Sequence, residues 1–439
     1  MVAPAISGTI SAMANDPLPG VASPKPSRIT SIDALRGFVM FTMIFVNDLA
    51  GAPEKLVPDW MVHFSDRQHA TKSGMTFVDM VFPGFLFIVG MSIPFALGGR
   101  MARGEPWWKT TGHILVRTIA LLGIGILMVH ETPDSEVMGW SGAWWCTWMY
   151  IAAMFTFCSI APAGAAKEKS KAEIWRMVTI GLRVAGLVAL VWLAFQFRDG
   201  KNRCIVSLSP LQLHTSWYGI LGLIGWAYLM AAMVYLIFRG KRTAILGCMV
   251  LLMCLFTADR KGLFDDFWLS HIVGIGETLG SQAAITVGGL LLGTMLLAPE
   301  MIQLKTRVNF TLWFALGWAA AALLLTPLYG ISKNSATPAW CLWSCTITAV
   351  LWLGFYFICD VRPVPWISRP LALAGQNVLL AYLISEWLPG FLDAVHLGDW
   401  YDSLSEPNLA CSILRSVGCG VVILALTVGL NRIGFRLKL

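Results

Sequence analysis

Charge is scarce in this sequence. Only 13% of its 439 residues are Asp, Glu, Lys or Arg, against roughly 25% in soluble domains. That excludes a water-soluble globular chain. Paired cysteine motifs are missing too. Ten cysteines are present, at 146, 158, 204, 248, 254, 341, 345, 359, 411 and 419, with no CxxC pair and no zinc spacing. Most lie in apolar runs, where cysteine acts as a small hydrophobe, so neither a disulfide framework nor a metal site is expected. Residues 1–30 lack a basic segment followed by an apolar core and do not read as a cleaved signal peptide. Their Pro, Ser, Ala and Gly content predicts a disordered cytoplasmic tail, leaving 31–439 as one transmembrane domain. The halves show no internal repeat, which argues against the duplicated architecture of many transporters. The net charge of +7 reflects basic loops and does not point to a nucleic-acid partner.

What is abundant is apolar sequence: 56% hydrophobic residues and a mean hydropathy of +0.67. Runs near 20 residues, long enough to cross a hydrocarbon core as helices, recur at 33–51, 76–98, 112–130, 140–163, 176–196, 216–238, 243–258, 270–297, 308–328, 339–360, 371–393 and 411–431. The fold class expected is an all-α polytopic membrane protein of 11–12 spans. With the N-terminus inside, nineteen Lys and Arg fall in cytoplasmic segments and nine in the opposite loops. This bias places both termini in the cytoplasm and the 52–75 loop outside.

Ionisable residues within a span are costly and need a reason. Asp33 and Arg36 are three apart and share a helix face, which predicts a structural pair. Glu277 reads as a buried partner of another helix. Asn47 and Asp48 end the first span, Asp79 begins the second, and His69 lies between, in "VHFSDRQHATKSGMTFVDMVFP". These four are expected at one membrane face. An imidazole there can take a proton from an amine or hydroxyl nucleophile. His63 is set aside because it lies outside the His-Ala motif. Gly289 and Gly293 form a GxxxG, a close-packing signal. Trp107, Trp108, Trp140, Trp144, Trp145 and Trp366 fall near span ends and suggest an interfacial belt. Trp60, Trp400 and Tyr401 lie in outer loops, available either to stack on a sugar ring or to anchor the loops.

The segments "ITSIDALRGFVMFTMIFVND", "QHATKSGMTFVDMVFPGFLFIVGMSI" and "LALAGQNVLLAYLISEWL" resemble the membrane acetyltransferase family of heparan-α-glucosaminide N-acetyltransferase and its bacterial relatives. The resemblance implies transfer of an acetyl group from cytoplasmic acetyl-CoA, as co-substrate, to the amine of a glucosamine-type sugar across the membrane. It implies His69 as the catalytic histidine, Asn47 beside it, and Asp79 as the supporting acid. It implies Arg117, Lys333 and Asn377 near acetyl-CoA. Asp48 and Glu386 are assigned to the acceptor. No metal is expected. The sequence departs from the family where Ile-Ser precedes Glu386 and where "WYGILGLIGWAYL" lacks a Gln-Arg pair. The implied setting is a multi-pass protein of a bacterial inner membrane, with glycan acceptor, acetyl-CoA and the bilayer as partners and a homodimer left open. Two rival readings are a secondary transporter of amino sugars and an O-acetyltransferase of an envelope polysaccharide.

Overall fold

The computed structural model describes residues 29–64, 73–129, 133–162, 169–208, 211–213 and 217–438. His69 and most of the N-terminal tail lie outside the described residues. The described residues are mostly helical. The long helices are α1 (Thr30–Leu49), α2 (Val81–Ala102), α3 (Trp107–Met128), α4 (Gly142–Thr156), α5 (Lys169–Gln196), α6 (Gly219–Phe238), α7 (Arg242–Asp259), α8 (Ala283–Leu297), α9 (Leu304–Tyr329), α10 (Pro338–Tyr356), α11 (Pro365–Ala374), α12 (Val378–Ala394) and α13 (Leu409–Arg432). Among the described residues there are also two short antiparallel ribbons, β1 (Cys158–Ile160) with β4 (Phe435–Leu437) and β2 (Val206–Leu208) with β3 (Leu211–Leu213).

Helices occupy all twelve ranges read as spans. Among the described residues, nine are long and apolar enough to cross a membrane, or ten if α11 and α12, bent by 73°, count as one broken span. The other two differ for simple reasons. Helix α1 carries Asp33, Arg36 and Asp48, and α4 has only 15 residues, a length of roughly 22 Å against a hydrocarbon core of about 30 Å.

The loops gather at two ends. Asp360, after α10, accepts from the backbone N–H groups of Thr30 and Ser31 at 3.0 and 3.1 Å. β4, after α13, pairs with β1, after α4. Both described termini therefore share one end, the end that loop charge reads as cytoplasmic.

The centre is α8, continuous with a π-helical segment Ile275–Gln282 and buried along its length. It lies against α2 with almost no side-chain spacer. A Cβ at Gly289 would overlap the Phe87 carbonyl, one at Gly293 the Met91 carbonyl, and one at Gly90 the Thr286 carbonyl. The GxxxG motif is thus a backbone-to-backbone seam, as expected. Gly289→Leu should force the two helices apart and destabilise the protein by about 1–3 kcal/mol or more. Loss of the monodisperse peak on heating in detergent would read this, and an unshifted midpoint would count against the seam.

The Asp33–Arg36 pair is present at 3.3 Å. Glu277 pairs with Arg260 at 3.3 Å, but at a half-exposed position, not a buried one. Trp107, Trp108 and Trp366 are exposed, as a belt requires. Trp145 is not part of it: it is buried, and its indole N–H donates to the Leu193 carbonyl at 3.0 Å.

Candidate active site

At the end opposite the termini, the chain between α1 and α2 folds back on itself. Asp79 sits in the 3-10 turn Val78–Met80 that leads into α2 and is 1% exposed. Its Oδ2 accepts from the backbone N–H groups of Thr76 at 2.9 Å and Phe64 at 3.1 Å. Its Oδ1 lies 2.8 Å from His63 Nδ1. Asp79 is the acceptor in this network, so it assigns the proton to Nδ1 of His63 and a lone pair to Nε2. Lys333 Nζ stands 3.1 Å from both ring nitrogens, which places it over the face of the imidazole.

Lys333 is brought there by two loops that stitch together. Gly74 N–H donates to the Ile331 carbonyl at 3.0 Å, and Ile331 N–H to Ser73 Oγ at 2.7 Å. A small apolar cluster of Leu49, Ala52, Val57 and Met61, flanked by Phe45, Val62 and Phe77, packs this loop against the end of α1. His63–Asp79 and Asn47–Asp48 therefore share one face, as the chain order required.

The two neighbours on α1 diverge. Asn47 is exposed, and its amide donates to Glu386 Oε1 on α12 at 3.2 Å. Asp48 turns inward and is fully engaged by the protein. Its Oδ1 accepts from Tyr401 at 2.6 Å, and its Oδ2 from Ser416 at 2.6 Å and Arg415 Nε at 3.1 Å. Burial, then the Asp48 carboxylate, raise the Tyr401 hydroxyl pKa well above the ordinary tyrosine value. It remains a donor at neutral pH.

A cavity of about 510 Å³ lies between α1, α2, α3, α6 and α12. One face of each helix lines it: Arg36, Met40 and Met43 on α1; His113, Arg117 and Leu121 on α3; Ile224 and Tyr228 on α6; Val378 and Tyr382 on α12. Arg36, Arg100, Arg117 and Lys438 give it a cationic lining, with the His113 imidazole among them. Arg36 is committed, to Asp33 and to Ser92 Oγ at 2.6 Å. Arg117 differs. Its guanidinium lies 4.6 Å from the Tyr228 ring centroid, and its Nε is buried with no hydrogen-bond partner. The faces of α1 and α12 continue by one helical turn, from Met43 to Asn47 and from Tyr382 to Glu386. The paired Asn47 and Glu386 thus stand beyond the far end of the cavity.

Of the eight residues singled out from the sequence, the seven that the structure describes separate into three groups. Arg117 and Asn377 line the cavity. Asn377 also holds the C-terminal strand, donating to the Phe435 carbonyl at 3.4 Å and accepting from Leu437 N–H at 3.2 Å. Asn47, Glu386 and Asp79 lie toward the opposite end. Lys333 is there as well, on His63, and is not among the cavity-lining residues. Asp48 is a packing hub, and His69 is outside the described residues. His63 is the member sequence reasoning set aside: Asp79 takes it as partner, sixteen residues away. Trp60 and Trp400 are exposed, whereas Tyr401 is tied to Asp48.

Fold and site define a polytopic helical membrane protein with a cation-lined cavity at one end and a histidine–carboxylate cluster at the other. The chain belongs to the family described as Domain of unknown function (DUF5009), whose model matches residues 28–263. It is similar to heparan-alpha-glucosaminide N-acetyltransferase of Homo sapiens, 33% identical over 132 residues, which cover 28% of this chain and 18% of that protein. The Mus musculus protein of the same name is 30% identical over 114 residues, covering 26% of this chain and 16% of its own length. The chain thus matches less than a fifth of the length of these relatives, and the family resemblance read from the motifs is borne out.

Proposed function

We propose that this protein is a transmembrane acetyltransferase. It takes an acetyl group from acetyl-CoA held in the cavity and passes it to the amine of a glucosamine-type sugar at the opposite face. The observation that carries this reading is the cavity itself. Its cationic lining suits phosphate groups, and its α1 and α12 faces lead to Asn47 and Glu386. The N-acetyltransferase relatives support the reaction class. In this scheme the end bearing the termini is cytoplasmic, in a bacterial inner membrane, and the acceptor arrives from outside.

Arg117, with a buried Nε lacking a hydrogen-bond partner, is the natural ligand for a phosphate oxygen of coenzyme A, with Arg100 and Lys438 nearer the entrance. Asn377 shapes that chamber. Glu386 and Asn47 meet the acceptor amine, and His69 is the general base of the acyl-transfer step. Asp79 fixes Phe64 and Thr76, which bracket the segment of sequence that contains His69. Asp48 and Lys333 act by holding this face together rather than by binding acetyl-CoA.

Arg117→Ala removes a charge-assisted contact worth about 1.5–3 kcal/mol. The KM for acetyl-CoA should rise roughly 10- to 100-fold, with little change in that for the sugar. Release of free coenzyme A on addition of glucosamine reads the reaction. If millimolar acetyl-CoA gives the wild-type protein no thermal shift, the donor assignment fails.

A further inference from the structure

The acetyl-transfer reading leaves one chemical requirement without a residue. An amino-sugar nitrogen resembles an α-amino group, whose pKa is about 7.7–8.0, so near neutrality it is mostly an ammonium. Acylation then removes two protons from nitrogen. One leaves before attack, to expose the lone pair. The other leaves after the C–N bond has formed. A single base handles both only by discharging in between.

The loop before α2 holds a second imidazole with the features of a proton acceptor. The His63 side chain is 32% exposed, while the Asp79 carboxylate behind it is 2% exposed. This is the arrangement of a reachable ring and a protected orienting acid. Asp79 is fixed by two backbone donors, so it cannot swing away from the ring. Nδ1 carries the proton toward Asp79, and Nε2 is left with its lone pair. A primary ammonium, Lys333 Nζ, stands over the ring at 3.1 Å from both nitrogens and leaves the in-plane lone pair of Nε2 open. The site thus already accepts the kind of group that an amino-sugar acceptor presents. Trp60, three residues earlier and 62% exposed, packs on Phe77 with ring centroids 5.7 Å apart.

We propose that His63, oriented by Asp79, is a second proton acceptor of this site: its Nε2 deprotonates the acceptor ammonium before acyl transfer. This rests on the acetyl-transfer reading. The acceptor nitrogen comes onto the Nε2 lone pair in the ring plane, beside Lys333 Nζ, whose four-carbon stem lets it move aside. One N–H proton passes to Nε2, and the imidazolium pairs with the Asp79 carboxylate. The freed amine attacks the thioester carbonyl. The C–N bond forms, the C–S bond breaks, and the second proton goes through the base of that step to the departing thiolate, giving coenzyme A thiol. His63 returns its proton to water, helped by repulsion from the Lys333 ammonium. Asp79 and Lys333 are the charged groups recorded against the ring among the described residues.

A mere loop staple would behave otherwise, and two acceptors separate the cases. Glucosamine is largely protonated at pH 7, whereas a weakly basic aromatic amine is already neutral. His63→Gln, whose amide can still donate to Asp79, should lower kcat/KM for glucosamine relative to the aromatic amine. The expected ratio change is roughly tenfold at pH 7, since about a tenth of an amine of pKa near 8 is neutral there. It should vanish near pH 9. Equal losses on both acceptors at both pH values would overturn the proposal. A second measurement needs no turnover. Diethyl pyrocarbonate should carbethoxylate His63 of the intact protein at pH 7, read by peptide mass, and glucosamine should slow it. If the wild-type protein acetylates neither amine, the acetyl-transfer reading falls by itself. His63 labelling that ignores glucosamine then sinks the proton-acceptor role.

Discussion

His69→Ala should lose roughly 10²–10⁴-fold in turnover at saturating acetyl-CoA and acceptor, the usual contribution of a positioned general base, while acetyl-CoA still protects the protein against heating. The reason is the place that the proposed acetyl transfer gives His69. A base that acts as the C–N bond forms is needed whatever the charge of the incoming amine. The loss should therefore be the same for glucosamine and for a neutral aromatic amine, unlike the acceptor-dependent loss expected of His63→Gln. Two histidines six residues apart are thus told apart by one pair of substrates. A fall in kcat with unchanged KM values would mark an interaction made in the transition state. A variant that kept most of its turnover on both amines would remove His69 from the mechanism and shift the base to another group of the same face.

Much of the fold was legible because the bilayer limits the choices. Apolar runs near 20 residues have to be helices, and helices lie in all twelve such ranges. Four segments that loop charge placed on one side, those at Thr30, after α4, after α10 and after α13, do meet at one end. What hydropathy could not show is which runs bend. The α11–α12 break falls at Gly375-Gln376-Asn377, where a Cβ at Gly375 would overlap the Asp33 carbonyl. The Gly-Gln-Asn block reads in sequence as a binding motif. In three dimensions it is first a place where α1 and a bent helix touch backbone to backbone, and where Asn377 grips the C-terminal strand.

The site was legible at the level of faces and opaque at the level of partners. Span ends put Asn47, Asp48 and Asp79 together, and the α3 pair His113 and Arg117, four residues apart, share a helix face that any helical reading supplies. No spacing rule announces that Asp79 will choose His63, because that bond depends on a loop doubling back over sixteen residues. Nor does sequence distinguish adjacent polar residues on one helix. Asn47 and Asp48 are neighbours, yet a rotation of about 100° per residue sends one to Glu386 and the other into the packing between α1 and α13. Lys333 resembled a donor-binding loop by its Lys-Asn pair, but the 330–337 turn is stitched to residues 73–74 and delivers it to His63.

Arg415→Met should cost about 3–5 kcal/mol of stability, the usual penalty for breaking a buried ion pair from one side, the second large effect expected. The Arg415 side chain is 3% exposed and that of Asp48 10%. Arg415 binds Asp48 twice, from Nε to Oδ2 at 3.1 Å and from Nη2 to the backbone carbonyl at 2.7 Å. It reaches Ser405 Oγ at 3.0 Å and lies 4.9 Å from the Tyr401 ring centroid. Methionine fills the stem volume but leaves the largely buried Asp48 carboxylate without its cation. Tyr401 and Ser416 still donate to it, which supports the lower part of the range. Removing the carboxylate as well, in Asp48→Leu with Arg415→Met, takes away the stranded charge, and an apolar pair of similar volume can match a buried ion pair. The double variant should therefore melt above Arg415→Met in detergent, a non-additive result that a double-mutant cycle reads directly. Simple additivity of the two losses would show that Asp48 and Arg415 act separately. The end of α1 that presents Asn47 would then owe its position to the apolar cluster around Leu49 rather than to this pair.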